Sequence, residues 1–291
     1  MTLSKIALAR CLAVLALALA LPIVSHAQVN IVAAENFYGD IAKQIGGAHV
    51  DVMSILHNPE QDPHLFEASP STARALAKAS IVIYNGVDYD PWMRPLLKAS
   101  PSARRVEIVA GDLLGRHAGA NPHLWYDPAT IPRVARALTS ALRKADPAHG
   151  TDYKASLERL DASLGPIVAK IESIRKMHAG ISVTATEPVF GYMAAALGFK
   201  MRNERLQLAI MNDTEPSARD VAAFENDLRT HKVRILFFNR QAGSAAAKYL
   251  LGIATAAHVP VVGVTETEPA GVSYQSWMLG QLNAVEKALQ P

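Results

Sequence analysis

The sequence predicts an α/β protein of two lobes, each with a mainly parallel sheet, joined by one long helix. Three patterns support this fold class. Short runs of β-branched and apolar residues alternate with helical patterns in the first half of the chain. The same alternation returns in the second half, and a long amphipathic segment separates the two halves. Such alternation is typical of βαβ units, and therefore of parallel sheets.

In the first half, helical patterns near 36–46 and 70–78 lie between predicted strands. Ser69-Pro70 and Asp127-Pro128 each place a capping residue before a proline, which predicts helix starts at both places. The predicted strands of this half are 29–35, 49–55, 79–85 and 104–110.

The second half repeats the pattern from about residue 181 onward. Its predicted strands are 181–186, 233–239 and 259–265, and its predicted helices are about 188–197, 216–230 and 244–257. We therefore expect a second α/β lobe.

Between the halves, the segment 151–178 carries apolar residues at alternating spacings of three and four, which predicts one buried stripe along a helix. A helix packed along both lobes fits this stripe better than a coiled-coil seam, and Gly165-Pro166 predicts a kink. The stripe consists of Leu157, Leu160, Leu164, Ile167, Ile171 and Ile174. We expect an N-terminal lobe at 28–147, a linking helix at 148–178 and a C-terminal lobe at 179–291.

The first 27 residues have the pattern of a secretory signal peptide. Lys5 and Arg10 precede an apolar core, and Ser25-His26-Ala27 is a small-x-small cleavage site. We therefore expect cleavage after Ala27 and a periplasmic location. Cys11 is the single cysteine and lies before the apolar core, which argues against a lipoprotein. After cleavage, a metal site would have only nitrogen and oxygen ligands available.

Composition excludes some classes of function. The formal net charge is +3, and loss of Lys5 and Arg10 leaves +1, without a basic patch of the kind that binds nucleic acid. The sequence also contains no Gly-rich phosphate loop, nucleophile elbow or His-Glu-x-x-His helix.

Two Pro-His loops are the first candidates for a binding site. Pro63-His64 lies in "NPEQDPHLFEAS" (58–69), and Pro122-His123 lies in "ANPHLWYDPATIP" (120–132). Each histidine precedes a predicted helix start, and loops after strands are where open α/β sheets bind ligands. A single loop histidine is usually just solvated, but two in one lobe are more suggestive of a shared site.

The second lobe offers carboxylates at comparable places. Glu187 ends a predicted strand before Pro188, and Glu is a poor N-cap, so capping does not explain it. Glu266 and Glu268 end another strand, where alternation would point both to one face. The simpler alternative is that all three are solvent-facing. Two imidazoles and two carboxylates at strand ends nevertheless suit a first-row divalent cation.

Five segments resemble the metal-specific solute-binding proteins of bacterial ABC importers, the manganese/zinc/iron class. They occur in the family's order along nearly the whole mature chain: "DPHLFEASPS", "NPHLWYDP", "TEPVFGYMAAALGF", "NDTEPS" and "VTETEPAGVSYQSWM". The resemblance implies two α/β lobes joined by a rigid backbone helix, with metal bound between the lobes. It also implies binding and release without catalysis, so we expect no enzyme activity.

The resemblance implies that His64, His123, Glu187 and Glu266 are the metal ligands, with Glu268 as the alternative if the alignment shifts along the strand. Zinc-type members usually carry His where this chain has Glu187, and the segment before His123 holds only His117 instead of a His-rich loop. These departures favour manganese or iron over zinc, although zinc would also bind such a site well.

The implied partner is a membrane permease with its ATPase, and we expect a monomer that binds no nucleic acid. Two alternatives stay open from the sequence. One is a metal-dependent hydrolase with Glu266 as general base, and the other is an adhesin or metal chaperone that works without a permease.

Overall fold

The computed structural model describes residues 28–58, 66, 69–241 and 244–290. Two four-stranded parallel sheets organise these residues, in the orders β2-β1-β3-β4 and β6-β5-β7-β8. The predicted fold class is confirmed. The strands are β1 Val29–Glu35, β2 Val50–Leu56, β3 Ile81–Tyr84, β4 Val106–Val109, β5 Ser182–Ala185, β6 Lys200–Met201, β7 Leu236–Asn239 and β8 Val261–Val264.

In both sheets, the first strand of the lobe is central. β1 pairs in parallel with β2 and β3, and β5 pairs in parallel with β6 and β7. β1 and β3 are buried along nearly their whole length, which explains their continuous apolar sequence. Because all strands of a sheet run the same way, the loops after their carboxyl ends meet at one edge.

The helices cover the sheets and connect the lobes. They are α1 Asn36–Gly46, α2 Pro70–Lys78, α3 Met93–Ala99, α4 Ala110–Leu114, α5 Thr130–Ala145, α6 Gly150–Ser163, α7 Gly165–His178, α8 Gly191–Ala196, α9 Glu204–Met211, α10 Ala218–Arg229, α11 Ala245–Ala256 and α12 Tyr274–Ala288. The sequence patterns did not identify α3, α4, α9 and α12, or the two-residue strand β6.

The segment between the lobes forms two consecutive helices rather than one. α6 ends before Leu164 and α7 begins at Gly165, because Pro166 has no N–H to continue the helical hydrogen bonds. Leu164 keeps right-handed helical angles, so the break is a kink. Most of the predicted stripe is buried in the main core, with Leu157 partly buried at its edge. α6 packs on α1 and α7 packs on α12, so the pair contacts both lobes.

One of the two predicted helix caps is correct. The Oγ of Ser69 accepts the N–H of Thr72 at 3.3 Å, at the start of α2. The predicted start at Asp127-Pro128 is wrong, since α5 begins two residues later at Thr130. Asp127 accepts the N–H of Ala129 at 2.9 Å and thereby closes a turn before the helix.

Within the described residues, we find no helix that combines the length and the apolar character needed to cross a membrane.

Candidate metal centre

His64 lies outside the described residues, as do the other residues of 59–65 and the predicted signal peptide at 1–27. The geometry of the candidate site therefore comes from the other predicted ligands. Three of them, His123, Glu187 and Glu266, lie in loops or turns next to the two sheets, and all three are buried.

His123 precedes a short 3-10 turn, Leu124–Tyr126, and its side chain is 0% exposed. Its Nδ1 lies 2.7 Å from the Oδ1 of Asn121, and that same oxygen also accepts the backbone N–H of His123 at 3.1 Å. The Nδ2 of Asn121 donates to the carbonyl of Pro188 at 2.7 Å, which fixes its amide orientation. Since an amide oxygen only accepts hydrogen bonds, Nδ1 carries the imidazole proton.

In the neutral ring, the other nitrogen of His123, Nε2, is therefore an acceptor. Nε2 is buried and has no hydrogen-bond partner among the described residues. A buried, unpaired acceptor costs about 1–3 kcal/mol, so native proteins rarely keep one without a purpose. Nε2 lies 3.7 Å from the Oε2 of Glu266, a separation compatible with two ligands of one small cation. A neutral imidazole held through Nδ1 and open at Nε2 is the usual form of a metal-binding histidine.

Glu187 follows β5 and precedes the 3-10 turn Pro188–Phe190. Its side chain makes no capping hydrogen bond to the turn. The carboxylate is buried rather than solvent-facing, and its Oε2 accepts a hydrogen bond from the Nδ2 of Asn239 at 3.0 Å.

Glu266 follows β8 and is 1% exposed. Its Oε1 accepts a hydrogen bond from the Nδ2 of Asn239 at 2.7 Å, and its Oε2 accepts one from the Tyr89 hydroxyl at 3.1 Å. The Oε1 of Gln241 accepts the backbone N–H of Glu266 at 2.5 Å. Side chains from both lobes therefore hold this carboxylate, which excludes a frayed, solvent-facing strand end.

Tyr89 reaches Glu266 from an unusual turn. Val87 and Asp88 both have positive φ angles, 55° and 62°, which is a genuine outlier for a β-branched residue such as valine. Asp90 stabilises the turn by accepting the N–H groups of Asn85 and Gly86. Burial, together with the charges of Glu266 and Glu35, raises the pKa of Tyr89 well above its usual range. Tyr89 therefore remains a hydrogen-bond donor to Glu266.

Glu268 lies in different surroundings from Glu266. β8 ends at Val264 and the chain bends at 266–267, so the predicted alternation does not continue to Glu268. Asn36 holds the Glu268 backbone on both sides, accepting its N–H at 3.1 Å and donating to its carbonyl at 2.7 Å. The expectation that both glutamates point to one face is wrong.

The Glu268 side chain borders a cavity of about 650 Å³, together with Asp40, Lys43 and His57. Burial, with a further contribution from Asp40, raises the pKa of Glu268 to about 9. None of the hydrogen bonds of Glu268 among the described residues involves His123, Glu187 or Asn239.

Within residues 28–58, 66, 69–241 and 244–290, no three His, Cys, Asp or Glu side chains are already arranged to hold a metal ion. Glu187 and Glu266 meet through Asn239 rather than directly. The donor set nevertheless fits a divalent cation, because it combines an open imidazole nitrogen with two buried carboxylates. The fourth ligand that the sequence resemblance implies, His64, lies outside the described ranges.

Sequence reasoning missed the supporting residues Asn121, Asn239, Tyr89 and Gln241. An asparagine beside a proline or after a strand is usually a turn residue, so nothing in the local pattern distinguished these amides. The one available indication was position, since Asn121 stands two residues before His123 and Asn239 ends a predicted strand.

The fold is that of a two-lobed α/β protein, with side chains suited to a divalent cation at the edge of its sheets. The model of the family described as zinc-uptake complex component A, periplasmic, matches residues 31–288. The chain belongs to this family. It is accordingly an extracytoplasmic, metal-binding solute-binding protein of the ABC-importer type, not an enzyme, and the hydrolase alternative is excluded.

Known proteins agree with this assignment. The manganese-binding lipoprotein MntA of Bacillus subtilis is 24% identical over 285 residues, covering 90% of each chain. The periplasmic zinc-binding protein TroA of Treponema pallidum has the same fold, with a TM-score of 0.76 at 18% identity over 91% of this chain and all of that one. A laminin-binding adhesin of Streptococcus agalactiae also shares the fold, with a TM-score of 0.73 at 20% identity over 90% and 100% of the two chains.

Proposed function

We propose that this protein captures one divalent metal ion, manganese or zinc, with His64, His123, Glu187 and Glu266 as ligands. It then delivers the ion to a membrane permease that is driven by an ATPase. The observation that carries this proposal is the fully buried His123, whose Nδ1 is fixed by Asn121 while Nε2 has no partner among the described residues. Metal coordination supplies the partner that Nε2 needs.

The carboxylates complete the argument for a cation. Glu187 and Glu266 are both buried, and both accept from the same amide nitrogen. Two buried carboxylates near one another repel unless a cation neutralises them, so a divalent ion is the natural occupant. Manganese and zinc are the cargoes named for the similar proteins, whereas iron has no support among them.

The proposed site is tested by measuring metal stoichiometry and affinity for the wild-type protein and for His123→Ala. We expect one metal ion per wild-type chain and a loss of affinity of more than roughly 100-fold in the variant, because a direct ligand contributes more than its supporting contacts. His117→Ala is the matched control, since His117 is exposed and lies six residues from His123. Undiminished metal affinity in His123→Ala would contradict the assignment of His123 as a ligand.

We further propose that the chain is exported and cleaved after Ala27, and that it works as a monomer in the periplasm. The basic start, apolar core and small-x-small site support cleavage at this position. Amino-terminal sequencing of protein purified from its native compartment should begin at Gln28. A mature chain that keeps Lys5 and Arg10 would contradict this proposal.

Delivery to a permease is tested by deleting the genes for the permease and the ATPase. If the protein serves an importer, metal uptake should fall equally when this protein or either partner is removed. Uptake that depends on the partners but not on this protein would favour the alternative of an adhesin or chaperone.

A further inference from the structure

Asn239 lies between the two candidate carboxylate ligands. It is the last residue of β7 and is 2% exposed. Its Nδ2 donates to the Oε2 of Glu187 at 3.0 Å and to the Oε1 of Glu266 at 2.7 Å. A primary amide nitrogen carries two hydrogens, so both are used on these carboxylates.

The orientation of the Asn239 amide is fixed independently. Its Oδ1 accepts the N–H of Gln241 at 3.1 Å, and its backbone N–H donates to the Oγ1 of Thr186 at 3.2 Å. A flipped amide would turn Oδ1 toward two carboxylate oxygens and Nδ2 toward an N–H group, which would be repulsive on both sides. Asn239 is therefore a double donor to Glu187 and Glu266.

This arrangement commits one oxygen of each carboxylate to the amide. For Glu266 the committed oxygen is Oε1, whereas Oε2 is the oxygen 3.7 Å from the Nε2 of His123. For Glu187 the committed oxygen is Oε2. An ion beside His123 is nearest to the Oε2 of Glu266, which also accepts the Tyr89 hydroxyl. Bidentate coordination by either glutamate would place the ion and the Asn239 amide on the same carboxylate oxygen, where they compete.

We propose that Asn239 is a specificity-determining positioning residue that keeps Glu187 and Glu266 monodentate. This inference rests on the proposed function, with two imidazoles and two glutamates as ligands. One oxygen from each glutamate gives four donors in total, the number that zinc prefers in a tetrahedral site. Two bidentate glutamates would give six donors, which suits the octahedral, oxygen-rich coordination of manganese.

Asn239 thus acts against the preference that the glutamates introduce. A glutamate at position 187, where zinc-type relatives carry histidine, makes the site harder and favours manganese. Coordination through only one oxygen of each carboxylate favours zinc instead. Removing the amide should therefore shift selectivity toward manganese without removing any ligand.

The test compares wild type, Asn239→Ala and Asn239→Ser for manganese and zinc affinity by competition titration. X-ray absorption spectroscopy of the zinc- and manganese-loaded proteins measures coordination number. We expect about four donors around zinc in the wild type. In both variants we expect more donors and a manganese-to-zinc affinity ratio that rises by about tenfold, as the freed oxygens become available. Gln207→Ala is the control, because Gln207 is another buried amide of the same lobe that bonds to the carbonyl of Arg202 instead.

An unchanged affinity ratio and coordination number in the folded Asn239 variants would overturn the inference, as would an equal loss of affinity for both metals. A coordination number of five or six around zinc in the wild-type protein would by itself overturn the inference. These results leave the proposed function standing as long as His123→Ala still loses metal. A wild-type protein that binds neither metal would overturn both.

Discussion

Glu266 and Glu268 stand two residues apart, and their surroundings differ sharply. Glu266 accepts hydrogen bonds on both carboxylate oxygens, from Asn239 and from Tyr89, and lies near His123. The Oε2 of Glu268 is buried without a hydrogen-bond partner in the described part of the chain, and its pKa is raised to about 9. Both carboxylates are therefore buried, but they differ in the hydrogen-bond donors around them. Donors that hold the carboxylate oxygens in place distinguish the candidate metal site from the neighbouring cavity.

The sharpest test of this contrast is to neutralise each glutamate in turn. Glu266→Gln should weaken metal binding by more than roughly 100-fold. The substitution removes a negative charge and replaces one of the two accepting carboxylate oxygens by an NH₂ group. Glu268→Gln should change metal affinity by less than about threefold, since Glu268 faces a separate cavity. Isothermal titration with manganese and zinc measures both effects. A larger loss in Glu268→Gln than in Glu266→Gln would reverse the assignment.

A smaller effect is expected from the residue that orients His123. Asn121→Ala removes the acceptor of the imidazole Nδ1 and should weaken metal binding by about 10–100-fold, the usual cost of losing such a supporting contact. Asn36→Ala is the matched control on the other side of the comparison, because Asn36 holds the backbone of Glu268. Titration of both variants should separate them, and equal losses of affinity would show that general loosening of the loops is responsible.

The smallest expected effect concerns stability. The folded state raises the pKa of Glu268 from 4.5 to about 9, so the folded protein binds more protons than the unfolded chain between these values. This contribution to the free energy of unfolding is fully present below about pH 4.5 and is lost as the pH rises toward 9. In metal-free protein, Glu268→Gln should therefore become more stable relative to wild type as the pH rises, by about 2 kcal/mol at pH 9.

Urea unfolding of metal-free wild type and Glu268→Gln at pH 5, 7 and 9 measures this difference. Asp161→Asn is a suitable control, since Asp161 is exposed on α6 and far along the chain from both glutamates. A stability difference between Glu268→Gln and wild type that stays constant with pH would contradict the burial of an uncharged Glu268.

The sequence was sufficient for the fold class, because the alternation of strands and helices follows from local patterns. Strand-like runs such as 29–35 are buried strands in the structure, and His123 and Glu187 were identified by their places beside prolines at element ends. The choice between Glu266 and Glu268 could not be made from alternation, since the chain bends once β8 has ended.

The supporting network was beyond the reach of local patterns, because it joins residues that are distant in sequence. Asn239 meets Glu187 across 52 positions, and Tyr89 meets Glu266 across 177. The kink between α6 and α7 was foreseen from Gly165-Pro166, since proline acts on its own helix. Local chemistry is therefore predictable here, whereas long-range hydrogen bonds needed the three-dimensional structure.

The most direct test of the central claim is a crystal structure of the zinc- or manganese-loaded protein with the metal located by anomalous scattering. We expect one ion at a bonding distance of about 2.0–2.2 Å from the Nε2 of His123 and from one oxygen each of Glu187 and Glu266. Glu268 should remain in its own cavity. An ion bound by Glu268, or a His123 whose Nε2 stays without a metal, would contradict the account.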